Sequence, residues 1–290
     1  DLYLSDVPVL TDGAEEPYRI RPAQVDDIPA LMALYERQCT GKLVTNVLSE
    51  ARWRYDLTQH SDGSDIRMHV MTLVDGTDVV IGYYKTWWDA WGSFRLQEFG
   101  LAAGHPYRVA GPTVMRYVAN LRGGYEEEFT DEQPNRIRFS LGAEHSLYAA
   151  YDRTLTPLVN AGAWYLRVPD LPGLLRHVAP VLERRLAQSA LSGYTGTLYL
   201  NGYVDGLELT FTRGMLAGVT PVDPRERDGQ WFASSGDAHF PPGVFLKLLF
   251  GYRSLAELCY AYPDCRASDA AAALLEVLFP KQPSWVTFVG

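Results

Sequence analysis

Cysteine, histidine and basic residues are all scarce in this chain, and each shortage argues against a class of function. The three cysteines, Cys39, Cys259 and Cys265, form no Cys-x-x-Cys pair and stand in no histidine cluster. That spacing argues against structural zinc and leaves free thiols as the simplest state, although Cys259 and Cys265 can lie near each other. The six histidines build no triad and no metal-ligand spacing, so His69, His105, His145 and His177 read as structural residues. Lysine and arginine total 26 against 35 acidic residues, a net charge of −9 that supplies no nucleic-acid footprint and disfavours an anionic membrane surface. No apolar run approaches the roughly 20 residues that span a bilayer. The longest, 270–279 and 244–250, suit buried helices. Ser140 and Ser146 lack the glycines of a nucleophile elbow, so hydrolase chemistry has no support.

What is present is an ordinary globular composition, 47% hydrophobic and 21% charged, over 290 residues, enough for two domains with normal cores. The chain begins at Asp1 with no methionine, and residues 2–16 read as the end of a strand followed by a polar linker after Pro8. They are expected to join a further domain on the N-terminal side. Residues 18–22 alternate as a strand stopped by Pro22. Asp26 and Asp27 then open a helix whose apolar face carries Ile28, Leu31, Leu34 and Tyr35. A short helix over 46–56 follows, then strands over 67–74 and 79–87 flanking Asp75-Gly76, a tight-turn pair. A strand over 93–101, a helix over 113–121, a strand over 136–141 and a helix over 144–155 complete the order β-α-α-β-β-β-α-β-α. A second block starts near 163. It has one long helical pattern over 171–190, strands over 195–200 and 207–211, and helices over 242–250, 254–262 and 268–279, the last two with Ser254 and Ser268 as N-caps.

Several local motifs carry a family resemblance. Tyr18-Arg19-Ile20-Arg21-Pro22-Ala23 before Asp26-Asp27-Ile28-Pro29-Ala30-Leu31 resembles the first strand and helix of GNAT-type N-acetyltransferases. His105-Pro106-Tyr107-Arg108-Val109-Ala110-Gly111-Pro112-Thr113 resembles the loop that holds the pyrophosphate of acetyl-CoA in that family. Phe240-Pro241-Pro242-Gly243, the segment Leu249-Phe250-Gly251-Tyr252-Arg253-Ser254-Leu255 and the ending Leu278-Phe279-Pro280-Lys281 resemble the sterol-carrier-like domain of multidomain acetyltransferases of the enhanced-intracellular-survival group. The resemblance implies an α/β (α+β) fold: a linker over 1–16, a degenerate GNAT-like mixed sheet with flanking helices over 17–162, and a sterol-carrier-like α+β domain over 163–290.

The same resemblance points to candidate site residues. In the family the phosphates sit on consecutive backbone amides at a helix N-terminus. Arg108 and Gly111 match the family pattern, whereas Pro112 contributes no amide hydrogen and Thr113 replaces a small residue. The loop is therefore expected to be vestigial, with Arg108, Gly111 and Thr113 kept as the alternative cofactor contacts. Glu98 is a candidate base and Tyr148 a candidate acid, with Tyr151 on the same helix; the plain alternative is a strand carboxylate and two packing tyrosines. The family's terminal carboxylate serves as general base, which would be that of Gly290, with a surface terminus as the alternative. Trp87, Trp88 and Trp91 allow a ligand platform or an interface, and Glu126-Glu127-Glu128 reads as a solvated acidic tract.

Three functions follow. One is an acetyl-CoA-dependent N-acetyltransferase whose cofactor domain precedes this chain, acting on an amine-bearing small molecule or peptide as a cytoplasmic homo-oligomer. The second is an apolar-ligand module, with Phe211, Phe245, Leu249, Leu274 and Phe279 lining a cavity or filling a core. The third is an autonomous GNAT enzyme using the Arg108 loop.

Overall fold

The computed structural model describes residues 1–58, 67–73, 77–89, 93–121, 135–142, 144–151, 155, 166–224 and 237–286. Two compact units divide the chain. The first comprises Asp1–Thr40, Thr45–Ala163 and Trp285–Gly290, and the second Gly41–Val44 and Trp164–Ser284. Gly290, the Asp75-Gly76 turn, the 126–128 tract, Trp91 and the side chain of Trp88 lie outside the described residues.

The first unit is built on β1 (Leu2–Tyr3), β2 (Tyr18–Pro22), β3 (Arg67–Leu73), β4 (Val80–Asp89), β5 (Ser93–Leu101) and β6 (Arg136–Phe139). Its helices are α1 (Ile28–Cys39), α2 (Glu50–Thr58), α3 (Tyr107–Asn120) and α4 (Ser146–Ala150). The six strands form one sheet in the order β1-β6-β5-β4-β3-β2, and only β5 and β6 run parallel. Alternation along β3 sorts its side chains between two cores. Met68 and Val70 meet Ile28, Leu31, Tyr35 and Trp53 of α1 and α2. Met71 faces the opposite cluster, which includes Val114, Met115 and Val118 of α3 and Leu147 of α4. At the start of α1, Asp27 takes both guanidinium nitrogens of Arg21, at 2.7 and 2.9 Å, and the Gln24 amide at 2.7 Å.

Residues 1–16, expected as a linker, pack into the first unit. Leu2 is buried and pairs opposite Ile137 at the sheet edge. Glu16 accepts from Arg116 of α3 at 2.5 and 2.7 Å and from Thr113 at 2.8 Å, while Arg116 also reaches the Pro8 carbonyl at 2.9 Å. This partly buried network ties the expected linker to the helix it precedes.

The second unit contains α5 (Leu171–His177), α6 (Ala179–Ala187), β7 (Gly196–Asn201), β8 (Gly206–Thr212), β9 (Met215–Val222), β10 (Ala238–His239), α7 (Val244–Leu249), α8 (Leu255–Ala261), β11 (Arg266–Ala267) and α9 (Asp269–Leu278). Its sheet runs β11-β10-β7-β8-β9, with β10 and β7 parallel. The long helix expected over 171–190 breaks at Val178, because Pro180 offers no amide and disfavours helical geometry around the residue before it. Strand β9 escapes sequence reading because Pro221 lies inside it. The edge position accommodates that proline, and the two-residue turn Arg213-Gly214, both at positive φ, sets the hairpin. Phe211, Leu249, Leu274 and Phe279 share one packed core, with Phe245 against it 5.3 Å from Phe240 and 5.5 Å from Phe279. Ser254 and Ser268 cap α8 and α9 as expected, Ser254 in a reciprocal box with Glu257. Among the described residues, no helix is long and apolar enough to cross a membrane.

One buried histidine links this packing to pH. His69 stacks on Tyr84 at 5.0 Å and meets the Tyr117 ring edge-on at 5.3 Å. Burial, with help from Arg67, pushes its pKa down to about 4 from 6.5. The unfolded chain therefore binds a proton near pH 6.5 that the folded chain refuses until about pH 4, so stability falls as pH drops through that window. The loss should total roughly 3 kcal/mol. Urea titrations between pH 7 and 4 check it, and His69→Phe should flatten the slope.

Candidate functional site

The first unit carries its concentration of buried polar groups where β5 parts from β6. The parallel register holds from Ser93↔Arg136 to Leu96↔Phe139, and the last bond runs from the Ser140 amide to the Leu96 carbonyl at 2.8 Å. Among the described residues, β5 beyond that point has a sheet partner on the β4 side only. The Phe99 carbonyl receives side-chain donors instead: Gln38 Nε2 at 2.5 Å, His145 Nε2 at 2.9 Å and the Tyr107 hydroxyl at 3.1 Å. His145 Nδ1 accepts the Leu147 amide at 3.2 Å as the N-cap of α4, which places the ring proton on Nε2 and makes that nitrogen the donor. A carbonyl has two lone pairs, so three donors saturate it.

Helix α3 begins at Tyr107, six residues earlier than the expected 113. Arg108, Gly111 and Thr113 therefore lie on its first two turns rather than on a loop. The Val109 and Ala110 amides already donate to the Pro106 carbonyl, at 3.0 and 3.1 Å. Within a helix the Gly111 and Thr113 amides are spent on carbonyls four residues back. Pro112 stands inside the helix and has no amide to give Arg108, whose carbonyl is met by the Tyr151 hydroxyl at 2.8 Å. Gly111 is needed for close packing, since a Cβ there would sit 3.0 Å from the Tyr151 ring and 3.2 Å from Leu147. Thr113 is buried with its hydroxyl on Glu16. These residues do not fit a pyrophosphate.

Glu98, the candidate base, is on β5 and only 2% exposed. The Tyr83 hydroxyl lies 3.0 Å from Glu98 Oε2 and 3.1 Å from Gln38 Oε1. Gln38 must turn its nitrogen to the Phe99 carbonyl, which leaves its oxygen facing Tyr83. One hydroxyl proton cannot serve two acceptors. The network closes when Glu98 is protonated and donates to Tyr83, which then donates to Gln38. Burial is the largest influence on the Glu98 carboxyl and pushes it in the same direction, upward, with Asp56 adding to it and Lys85 pulling the other way. Lys85 is itself buried and engaged at 3.1 Å with Asp56, which also binds Arg52 at 2.9 Å.

Tyr148, the candidate acid, donates to the Phe139 carbonyl at 3.0 Å and accepts the Leu141 amide at 3.2 Å, so both capacities of its hydroxyl are committed to the end of β6. Glu98 and Tyr148 thus border one region through Phe99 and His145, whereas Arg108, Gly111 and Thr113 belong to the α3 helix. Gln38, Tyr83, Tyr107 and His145 escaped sequence reading as members of a network. They come from four separated stretches, and no spacing announces their convergence. Trp285 also belongs to this unit: it bridges Thr45, lies tilted with its ring 5.4 Å from that of Tyr35, and would sit 3.0 Å from a Cβ at Gly142, which is at positive φ.

A solved relative resolves the architecture. The structure of a GCN5-related N-acetyltransferase from Anabaena variabilis ATCC 29413 superposes with a TM-score of 0.54 at 13% identity, covering 99% of this chain and 66% of that one. The fold is GNAT-like. An Enterococcus faecalis V583 protein described as a probable N-acyltransferase matches with a TM-score of 0.52 at 12% identity, over 99% of this chain and 64% of that one. The chain therefore spans slightly under two thirds of the length of each. No family model matches the sequence, and no curated protein matches it.

Two variants test the helix and the network. Tyr151→Phe should cost about 1 kcal/mol by leaving the Arg108 carbonyl short of a donor. Adding Pro112→Ala should recover most of that loss, read by a double-mutant cycle in urea. Glu98→Gln should leave stability at pH 7 within about 1 kcal/mol, because an amide reproduces the donor of a protonated carboxyl. Infrared difference spectra should show a protonated carboxyl band in the parent that the variant lacks.

Proposed function

We propose that this chain is part of an acetyl-CoA-dependent N-acetyltransferase acting on an amine-bearing small molecule or peptide, and that the cofactor is held mainly by residues outside this chain. The observation that carries the second half is the N-terminal region of α3, where Val109, Ala110, Gly111 and Thr113 have spent their amides and Pro112 has none. The first half rests on the GNAT-like fold and the sequence motifs together. In this reading the first unit is a GNAT-like scaffold, and the second, with its sterol-carrier-like motifs, completes the homo-oligomer contacts. A cationic acceptor suits the net charge of −9 through long-range attraction.

Titration calorimetry on this chain decides between this reading and an autonomous enzyme. No acetyl-CoA binding is expected at high micromolar concentration from a sample that circular dichroism shows to be folded. Stoichiometric binding that Arg108→Ala abolishes would establish the autonomous reading instead.

A further inference from the structure

We propose that Cys259 and Cys265 form an oxidation site in the second unit, closing to an intramolecular disulfide on exposure to a small-molecule disulfide. Cys259 lies on α8 and Cys265 immediately precedes β11, and their sulfurs are 3.9 Å apart. Closure needs the sulfurs to approach to about 2.05 Å. The intervening turn is held from several sides. The Tyr262 amide bonds to the Leu258 carbonyl and the Cys265 amide to the Tyr262 carbonyl, both at 2.9 Å. Lys247 of α7 reaches the Tyr262 hydroxyl at 2.5 Å, and the Tyr203 hydroxyl donates to the Asp264 carbonyl at 2.7 Å. Beyond the turn, β11 pairs with β10. The two thiols are thus kept together by the fold, which gives the second step of the reaction a high effective concentration.

Exposure assigns the order of events. Cys265 is buried at 3% and Cys259 is half-buried, so an incoming oxidant meets Cys259 first. The Cys259 thiolate attacks one sulfur of the reagent disulfide, releasing one thiolate and leaving a mixed disulfide. The Cys265 thiol loses its proton to solvent and attacks Cys259 Sγ, expelling the second reagent thiolate. Two protein thiols are oxidised and one reagent disulfide is reduced to two thiols. The product adds a covalent tie between the end of α8 and the short β10–β11 edge, where hydrogen bonds and core packing now hold the turn.

The test uses the whole chain treated with oxidised glutathione, quenched with iodoacetamide under denaturing conditions, and analysed by intact mass and peptide mapping. The expected product has lost two hydrogens, carries a 259–265 link, retains no glutathione there, and reverts with dithiothreitol. Peptide mapping separates this from any reaction at Cys39. Cys265→Ser should convert the outcome to a glutathione adduct retained on Cys259. The proposal is overturned if the unsubstituted chain keeps the adduct on Cys259 while Cys265 is alkylated, or if both thiols remain alkylatable.

Discussion

The first unit is organised around backbone groups that lose a strand partner when β5 leaves β6. Buried carbonyls and amides must find partners, and the loss of a neighbouring strand is a cost that side chains have to cover. Four residues from three helices respond. Gln38 arrives from the end of α1, Tyr107 from the start of α3, His145 from the cap of α4, and Tyr148 from within α4. Because each also belongs to a packed element, the polar requirement sets where those helices can sit. The Tyr107 and His145 rings, 4.9 Å apart, fill the apolar part of the same gap.

This arrangement also explains why a glutamate can sit at the centre of a sheet. Glu98 faces Lys85 across the β4–β5 ladder, a position where an ionised pair is the simplest arrangement. Lys85, however, is already matched by Asp56, and Arg52 adds a second cation on the more exposed side. A neutral carboxyl is then the cheaper partner for Tyr83, since an isolated buried carboxylate costs several kcal/mol even after relaxation. Desolvation pushes the Glu98 carboxyl upward, the direction that hydrogen-bond counting favours. A group held this way is positioned by its neighbours rather than poised toward solvent.

The parts of this structure that follow from periodicity were legible in the sequence. Strands β2 and β5, helix α1 and the capped helices α8 and α9 lie close to their expected places, because alternation, helical spacing and N-cap serines are local signals. What was not legible depended on context. Pro221 masked β9 because a proline is tolerated only at an edge, and edge status is a property of the assembled sheet. The family resemblance suggested a loop through Pro112, whereas the segment is helical and Tyr151, distant in sequence, meets the carbonyl that Pro112 cannot. The site residues were named by resemblance, yet their surroundings come from Gln38, Tyr83 and His145, which carry no motif of their own.

The helical form of residues 107–113 is therefore not the work of one residue. Replacing Pro112 would return an amide to the chain, but residue 112 is the sixth of α3, and that amide would bond the Arg108 carbonyl instead of an anion. Tyr151 would then be released, not a ligand site created. To free donors for a phosphate, the helix would have to start later, giving up the Pro106 cap and the seat of Tyr107 on Phe99. That change would in turn leave the Phe99 carbonyl with fewer donors and loosen α4. The residues at the start of α3 and beside Phe99 satisfy one another, and this mutual satisfaction, more than any single side chain, keeps the first turns of α3 helical.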